Sequence, residues 1–232
     1  IPGLQQVPFL THETLFDLPH CPAHLLVLGG GPIGLEMALA FRRLGARVTL
    51  VEQAQIAARE DQEAVAVLRA ALVSEGVELR EGVAIAALSR EGEGLRARLS
   101  DGASIMASHL LIAAGRAPRL EGLGLAAAGL VGTAHGIATD LALRAKGNRR
   151  VWVAGDIADP EGLGPRAFTH VASQHAGIIA RSMLFHLPVR LNYAALPRVI
   201  YTDPELAQIG LTEAEARAAH GAIQVLRRGL DE

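Results

Sequence analysis

The stretch 25–52, LLVLGGGPIGLEMALAFRRLGARVTLVE, constrains this chain more than any other. An apolar run, Leu25–Leu28, stops at Gly29-Gly30-Gly31. Pro32-Ile33-Gly34 opens a helix-forming segment to Leu44, Gly45 follows, and a second apolar run, Val48–Val51, closes on Glu52. The order is strand, tight turn, helix, strand. Gly29, Gly31 and Gly34 fit G-x-G-x-x-G, and the acid comes at roughly the 20-residue distance of a dinucleotide-binding unit. Gly29 permits the sharp exit from the strand, Gly31 lets a pyrophosphate approach the backbone, and Gly34 lets helix and strand pack closely. The helix N-terminus offers unpaired N–H groups and a positive dipole end to the phosphates. Glu52 can accept from the adenosine ribose hydroxyls and would repel a 2′-phosphate, so the reading is NAD rather than NADP.

Composition narrows the classes. The chain has 232 residues, enough for one large domain or two small ones, and 50% are hydrophobic, enough for a substantial core. A net charge of −2 with no basic stripe argues against nucleic acid and anionic membranes as partners. Cys21 is the only cysteine, which excludes an internal disulfide or a multi-cysteine zinc site and makes cytoplasmic residence the expectation. The most apolar stretch, 25–41, carries glycines and Glu36 and does not read as a membrane span. IPGLQQVPFL has neither a basic leader nor an initiator methionine and reads as the interior of a longer protein.

Residues 1–20, punctuated by Pro2, Pro8 and Pro19, suit an extended connector with one turn at Glu13–Phe16. His20, Cys21 and His24 lack a fourth ligand at suitable spacing and are read as incidental to that linker. In the first helix, Met37, Phe41 and Leu44 follow Ile33 at helical spacing and are expected against the sheet. Glu36, in the first turn, reads equally as an acid serving the dipole and as one facing a cofactor. Asp61 is expected to cap a helix over 62–75, and Val77–Arg80 to form the next strand. This completes βαβαβ, half of a doubly wound fold. Val83–Leu88, Leu95–Leu99 and Ala103–Ala107 are short, alternating and separated by turn residues, including Asp101-Gly102. They predict a three-stranded antiparallel meander in place of a helical crossover. His109–Ala113 returns to the parallel sheet and stops near Gly115, which either lines the ligand crevice or simply turns.

Residues 116–138 read as an irregular connection. Val151–Ala154 is expected as a buried strand ending at Gly155-Asp156, with the aspartate either an acceptor at a site or a turn residue. A helix is expected from about Ala167 to Phe185. His170 and His175 do not share a helical face well and are read as core or surface residues, not a metal pair. Arg198–Tyr201 reads as a strand, and Thr212 with Glu215 as a capping box. The residues after Ile200 are too few for a domain core, and the segment from about 195 to 232 is expected to be poorly ordered or unnaturally packed.

VLGGGPIGLEMA, AAGRAPR at 113–119, VWVAGDIAD at 151–159 and YTDPELAQIGLTEAEA at 201–216 resemble, in that order, the flavin-dependent pyridine nucleotide–disulfide oxidoreductases, with dihydrolipoamide dehydrogenase and mercuric reductase as the nearest likenesses. The resemblance covers nearly the whole chain. It implies an α/β fold: a Rossmann-like three-layer NAD-binding domain with a β-meander crossover, plus partial FAD-domain and interface-domain segments. By that template, 1–20 is the connector from the FAD domain, 21–138 the NAD domain, 139–190 the returning FAD-domain segment and 191–232 the start of the dimerisation domain. The resemblance places Gly29, Gly31, Ile33 and Gly34 at the pyrophosphate and Glu36 toward the nicotinamide, which tips its reading toward function. It puts Glu52 at the adenosine ribose, Ile85 beside the adenine and Gly115 in the NAD cleft. Asp156 would meet the ribityl–phosphate region of FAD, and Ala167, Phe168, Thr169 and His170 the flavin ring.

The departures define what is expected of the chain. The family's first G-x-G-x-x-G, its redox-active cysteine pair and its His–Glu acid–base pair have no counterpart, and His220 lacks the following acid. No catalytic residue and no metal ligand is therefore assigned. The parent is expected to be a homodimer that passes hydride from NADH through FAD to a small-molecule or protein disulfide, and this chain alone to be inactive. Two alternatives are a free-standing dinucleotide-binding module without redox chemistry, and a flavoenzyme of NADH oxidase or ferredoxin reductase type without the active disulfide.

Overall fold

A computed structural model describes residues 1–229. The chain divides into two compact units, one of Ile1–Gly115 together with the segment from Leu196, the other of Arg116–Ala195.

The first unit is built on a four-stranded parallel sheet. Its strands are β1 (His24–Leu28), β2 (Arg47–Glu52), β3 (Val77–Glu81) and, after the meander, β7 (His109–Ile112), in the order β3-β2-β1-β7. Helices α1 (Pro32–Arg43) and α2 (Gln62–Ser74) cover one face, and the meander β4 (Ile85–Glu91), β5 (Gly94–Leu99) and β6 (Ser104–Ala107) covers the other. Both faces are therefore buried, which is why β1, β2 and β7 are apolar without alternation. Leu25, Val27, Val48, Leu50 and Leu111 join the helical side, while Leu26, Val51 and Leu110 join the meander side. Each fully buried leucine contributes about 1.5–3 kcal/mol. In β5 the alternation is strict: Leu95, Ala97 and Leu99 are buried, Arg96 and Arg98 exposed. The expected three-layer α/β architecture with an antiparallel crossover is what the chain adopts.

Three expectations need correction here. The buried face of α1 is Gly34, Leu35, Ala38, Leu39 and Phe41; Met37 is half-buried and Leu44 is 68% exposed. Spacing alone left the phase free, whereas contact of Gly34 with the first glycine fixes it. Residues 1–20 carry two 3-10 turns, Leu4–Gln6 and Leu15–Asp17, where an extended run with one turn was expected. Leu10 accepts from Ile112 N–H and donates to the Leu110 carbonyl at the β7 edge, and Val7 and Leu15 are buried. The segment from 196 is not left unpacked either. Strands β11 (Pro197–Ile200) and β12 (Leu206–Ile209) form a hairpin whose Ile200 and Leu206 complete the helix-side core. The expected interface segment ran to 232; 230–232 lie outside the described residues.

In the second unit, β8 (Gly132–Thr133), β9 (Gly136–Thr139) and β10 (Ala158–Pro160) make a small sheet beside α3 (Thr169–Phe185). Leu130, Ile137, Leu143, Val153, Ile178 and Leu191 are at its core. The strand expected at Val151–Ala154 does not form. Trp152 makes one bridge to Arg144, Val153 N–H donates to the Leu143 carbonyl and the Val151 carbonyl accepts from Ala145 N–H, but Val151 N–H turns back to the Asn148 carbonyl, so no ladder develops. The stretch expected to be an irregular connection, 116–138, ends instead in the β8–β9 hairpin, and β9 pairs with β10 within the second unit.

Local signals set the helix starts. The Asp61 side chain accepts from Glu63 N–H at 3.0 Å, and its second oxygen accepts from Glu213 N–H at the start of α4 (Glu213–His220). Thr212 and Glu215 form the expected reciprocal capping box. Asp61→Ala should therefore lower the unfolding free energy by about 1–2 kcal/mol, read from the urea midpoint, since one substitution removes the cap of α2 and the acceptor of Glu213 N–H in the first turn of α4.

Candidate functional site: the glycine turn and the carboxylates at the strand ends

Gly29 leaves β1 with φ of 112°, and a Cβ there would lie 2.5 Å from the Ala113 carbonyl oxygen. A Cβ on Gly34 would lie 1.9 Å from the Gly29 oxygen, so helix and strand touch through glycine alone. A Cβ on Gly31 would meet nothing within 4 Å among the described residues. That side of the turn is open to a ligand, and Gly31 is the N-cap of α1 with no side-chain cap bond. The first turn of the helix thus presents backbone N–H groups to an anion. Ile33 is half-buried in that turn. Gly115, just beyond β7, is exposed with φ of 126°.

Glu52 ends β2. Its Oε2 accepts from Gly30 N–H at 2.7 Å and its Oε1 from Ala54 N–H at 2.8 Å. The carboxylate is thereby fixed against the glycine turn with lone pairs left for hydroxyl donors. This donor set fits a pyrophosphate with an adjacent ribose. Glu81, the register partner of Glu52 on β3, carries a second fixed carboxylate. Arg69 grips it through Nε at 2.7 Å and Nη2 at 3.0 Å, and Ile56 N–H donates to it at 2.8 Å. The Arg69 hydrogen bonds, aided by Ile56 N–H, hold the Glu81 carboxyl below the usual carboxylate range against desolvation. Sequence reasoning passed over Arg69 and Glu81, because the residues lie twelve apart on different elements.

Two expected site residues sit differently from the others. The Ile85 side chain is 6% exposed and packs inside the meander-side core. Glu36 Oε1 accepts from Tyr201 N–H at 3.0 Å, tying α1 to the β11–β12 hairpin.

In the second unit, Asp156 stands in a single 3-10 turn, Gly155–Ile157. Arg116 joins it to Ala167: Nη1 lies 3.4 Å from the Asp156 carboxylate, and Nη2 donates to the Ala167 carbonyl. Arg116 sits inside the AAGRAPR motif, yet nothing in its spacing announced that bridge. Phe168 is the N-cap of α3, and its ring stacks on His170 with centroids 5.2 Å apart. Thr169 opens the helix and is exposed. His175 is fully buried. Its Nδ1 accepts from Gly155 N–H at 3.1 Å, so the proton is on Nε2, which donates to the Tyr193 hydroxyl at 2.8 Å. Burial pushes the His175 pKa down and that of Tyr193 up to about 12. The neutral imidazole braces the Gly155–Asp156 turn from behind.

Among the described residues no helix is long and apolar enough to cross a membrane, and no group of histidine, cysteine and acidic side chains is placed to hold a metal.

Residues 1–176 match the family described as pyridine nucleotide-disulphide oxidoreductase, and 196–230 match its dimerisation domain. The chain is 41% identical to a mercuric reductase of Streptomyces lividans over 95% of its own length and 47% of that protein. It is 37% identical to a dihydrolipoyl dehydrogenase of Thermus scotoductus, over 88% of its own length and 44% of that protein. Among solved structures, it superposes on the HOCl-induced flavoprotein disulfide reductase RclA of Escherichia coli with a TM-score of 0.87 at 27% identity, covering 97% of this chain and 51% of that one. The chain spans about half the length of the curated relatives it matches.

His175 generates a pH prediction. Its folded pKa lies below the unfolded value near 6.5, so between the two the unfolded chain binds the extra proton. Stability contributed by the neutral ring is complete above pH 6.5 and falls as the pH drops through that value, with a slope of up to about 1.4 kcal/mol per pH unit. His175→Gln should be less stable at pH 7.5, and its urea midpoint should fall less than the parent's between pH 7 and 5.5.

Proposed function

Because this chain belongs to the pyridine nucleotide-disulfide oxidoreductase family, we propose that it is the NAD(H)-handling portion of an FAD-dependent enzyme that carries hydride from NADH through FAD to a disulfide. The observation that carries this reading is Glu52, fixed by two backbone N–H groups beside the open face of Gly31. In it, Gly31 and the first turn of α1 receive the pyrophosphate, Ile33 and Gly34 shape that turn, and Glu52 accepts from the adenosine ribose. A carboxylate there favours NAD over NADP. Gly115 lines the same cleft, the Ile85 backbone passes the adenine, and Glu36 stands toward the nicotinamide.

Asp156, steadied by Arg116 and by the His175-braced turn, is the acceptor for the ribityl–phosphate portion of FAD. Ala167, Phe168, Thr169 and His170 form the stretch along the flavin ring. When bound, NADH supplies a hydride and the flavin takes it and passes on the electron pair. The residues of this chain bind and orient; none of them is assigned as acid, base or nucleophile. The domain scheme is part of the same proposal: 1–20 leaves the FAD domain, 21–138 binds NAD, 139–190 returns to the FAD domain, and 191–232 begins the dimerisation domain of a cytoplasmic homodimer. The names of the relatives point to lipoamide-like or mercuric-reductase-like chemistry in the parent.

Calorimetric titration of the 232-residue chain tests the reading. NADH should bind, and Glu52→Gln should weaken it by about tenfold or more, the loss of hydrogen bonds to a charged acceptor. A circular dichroism melt separates that loss from a disturbed turn. Absence of NADH binding by the folded parent chain would overturn the reading. Bound yellow flavin with NADH-dependent disulfide reduction by this chain alone would overturn the assignment of no turnover.

A further inference from the structure

Beside Glu52 lies a cleft of about 570 Å³ lined by Ala54, Gln55, Gln62, Arg69, Glu81 and Gly82. Its size suits a ribose phosphate. Among these residues Arg69 is the one cation and Glu81 the one anion. The two form a bidentate pair, with Nε and Nη2 of the guanidinium both spent on the carboxylate. The loop over this cleft is held at four points: Ala54 N–H to Glu52, Ile56 N–H to Glu81, Ala57 N–H to the Gly30 carbonyl, and Gly82 N–H to the Ala54 carbonyl. Glu52 and Glu81 are neighbours across β2 and β3 at the same sheet edge. The pair leaves the cleft with no net charge of its own beside the negative Glu52.

An unpaired arginine at this position would be a phosphate receptor, since its planar donor fork matches phosphate oxygens. We propose that Glu81 is a second selectivity residue of the dinucleotide site: by occupying Arg69 it denies a cation to the 2′-phosphate of NADP, alongside the direct repulsion from Glu52. The inference rests on the dinucleotide reading of the glycine turn. It assigns Glu81 a task distinct from holding the loop, because a glutamine there keeps an oxygen for Ile56 N–H while losing the charge that neutralises Arg69.

The test is calorimetric titration of the 232-residue chain with NADH and with NADPH, for the parent, Glu81→Gln, Arg69→Met and the double variant. Glu81→Gln should improve NADPH binding relative to NADH by about tenfold, the scale of a new charged hydrogen bond. The gain should shrink as salt is raised, since the cleft is open to solvent. It should vanish in the double variant, and Arg69→Met alone should give no gain. An unchanged NADPH-to-NADH ratio in Glu81→Gln, an equal loss for both ligands, or a gain that survives removal of Arg69 would each overturn the inference while leaving the dinucleotide reading intact. A folded parent chain that binds neither ligand would overturn both.

Discussion

The contact between Gly34 and the Gly29 carbonyl is the constraint on which the first unit depends. No side chain fits in that gap, so α1 lies directly on the exit of β1. The rotation of the helix follows from it. With Gly34 against the strand, Leu35, Ala38, Leu39 and Phe41 turn inward, and Leu44 turns out. The same contact aims the helix N-terminus over the strand ends, where its unpaired N–H groups face open space at Gly31. A Cβ at residue 34 would push helix and strand apart and misplace the packed core and the anion site together.

Around that contact, the carboxylates at the C-terminal sheet edge are held by backbone donors, and Glu81 by Arg69 as well. Glu52 and Glu81 each take an N–H from the loop after β2, and Glu52 takes another from the glycine turn. Both neighbouring strands thus pin the loop. On the helical side, the β11–β12 hairpin adds Ile200 and Leu206 to the core, and Arg198 pairs with Glu60, which is 8% exposed. Removing one partner of a pair buried to this degree leaves the other uncompensated, which destabilises more than the pair itself stabilises.

The second unit is stabilised in another way. It has short strands, many irregular turns, and one buried polar axis running from Gly155 N–H through His175 to Tyr193. Arg166 lies over the Tyr193 ring at 5.6 Å, so the far end of that axis is held from outside as well. Every member has a partner, the condition for polar groups to be tolerated in a core.

The sequence by itself determined whatever depends on a few consecutive residues. The glycine turn, the Asp61 cap, the Thr212–Glu215 box and the Asp101-Gly102 hairpin were all legible, because φ preference and local hydrogen bonding act over three or four residues. The parallel order of the sheet followed from the strand–helix–strand pattern. Tertiary structure decided which face of α1 is buried, that residues 1–20 dock on the β7 edge, and that Val151–Ala154 forms no strand. It also decided that Arg69 meets Glu81 and that Arg116 meets Asp156. The physical reason is common to all five. Burial and ion pairing are set by which surfaces the topology brings together, and residues far apart in the chain carry no periodicity that announces their meeting.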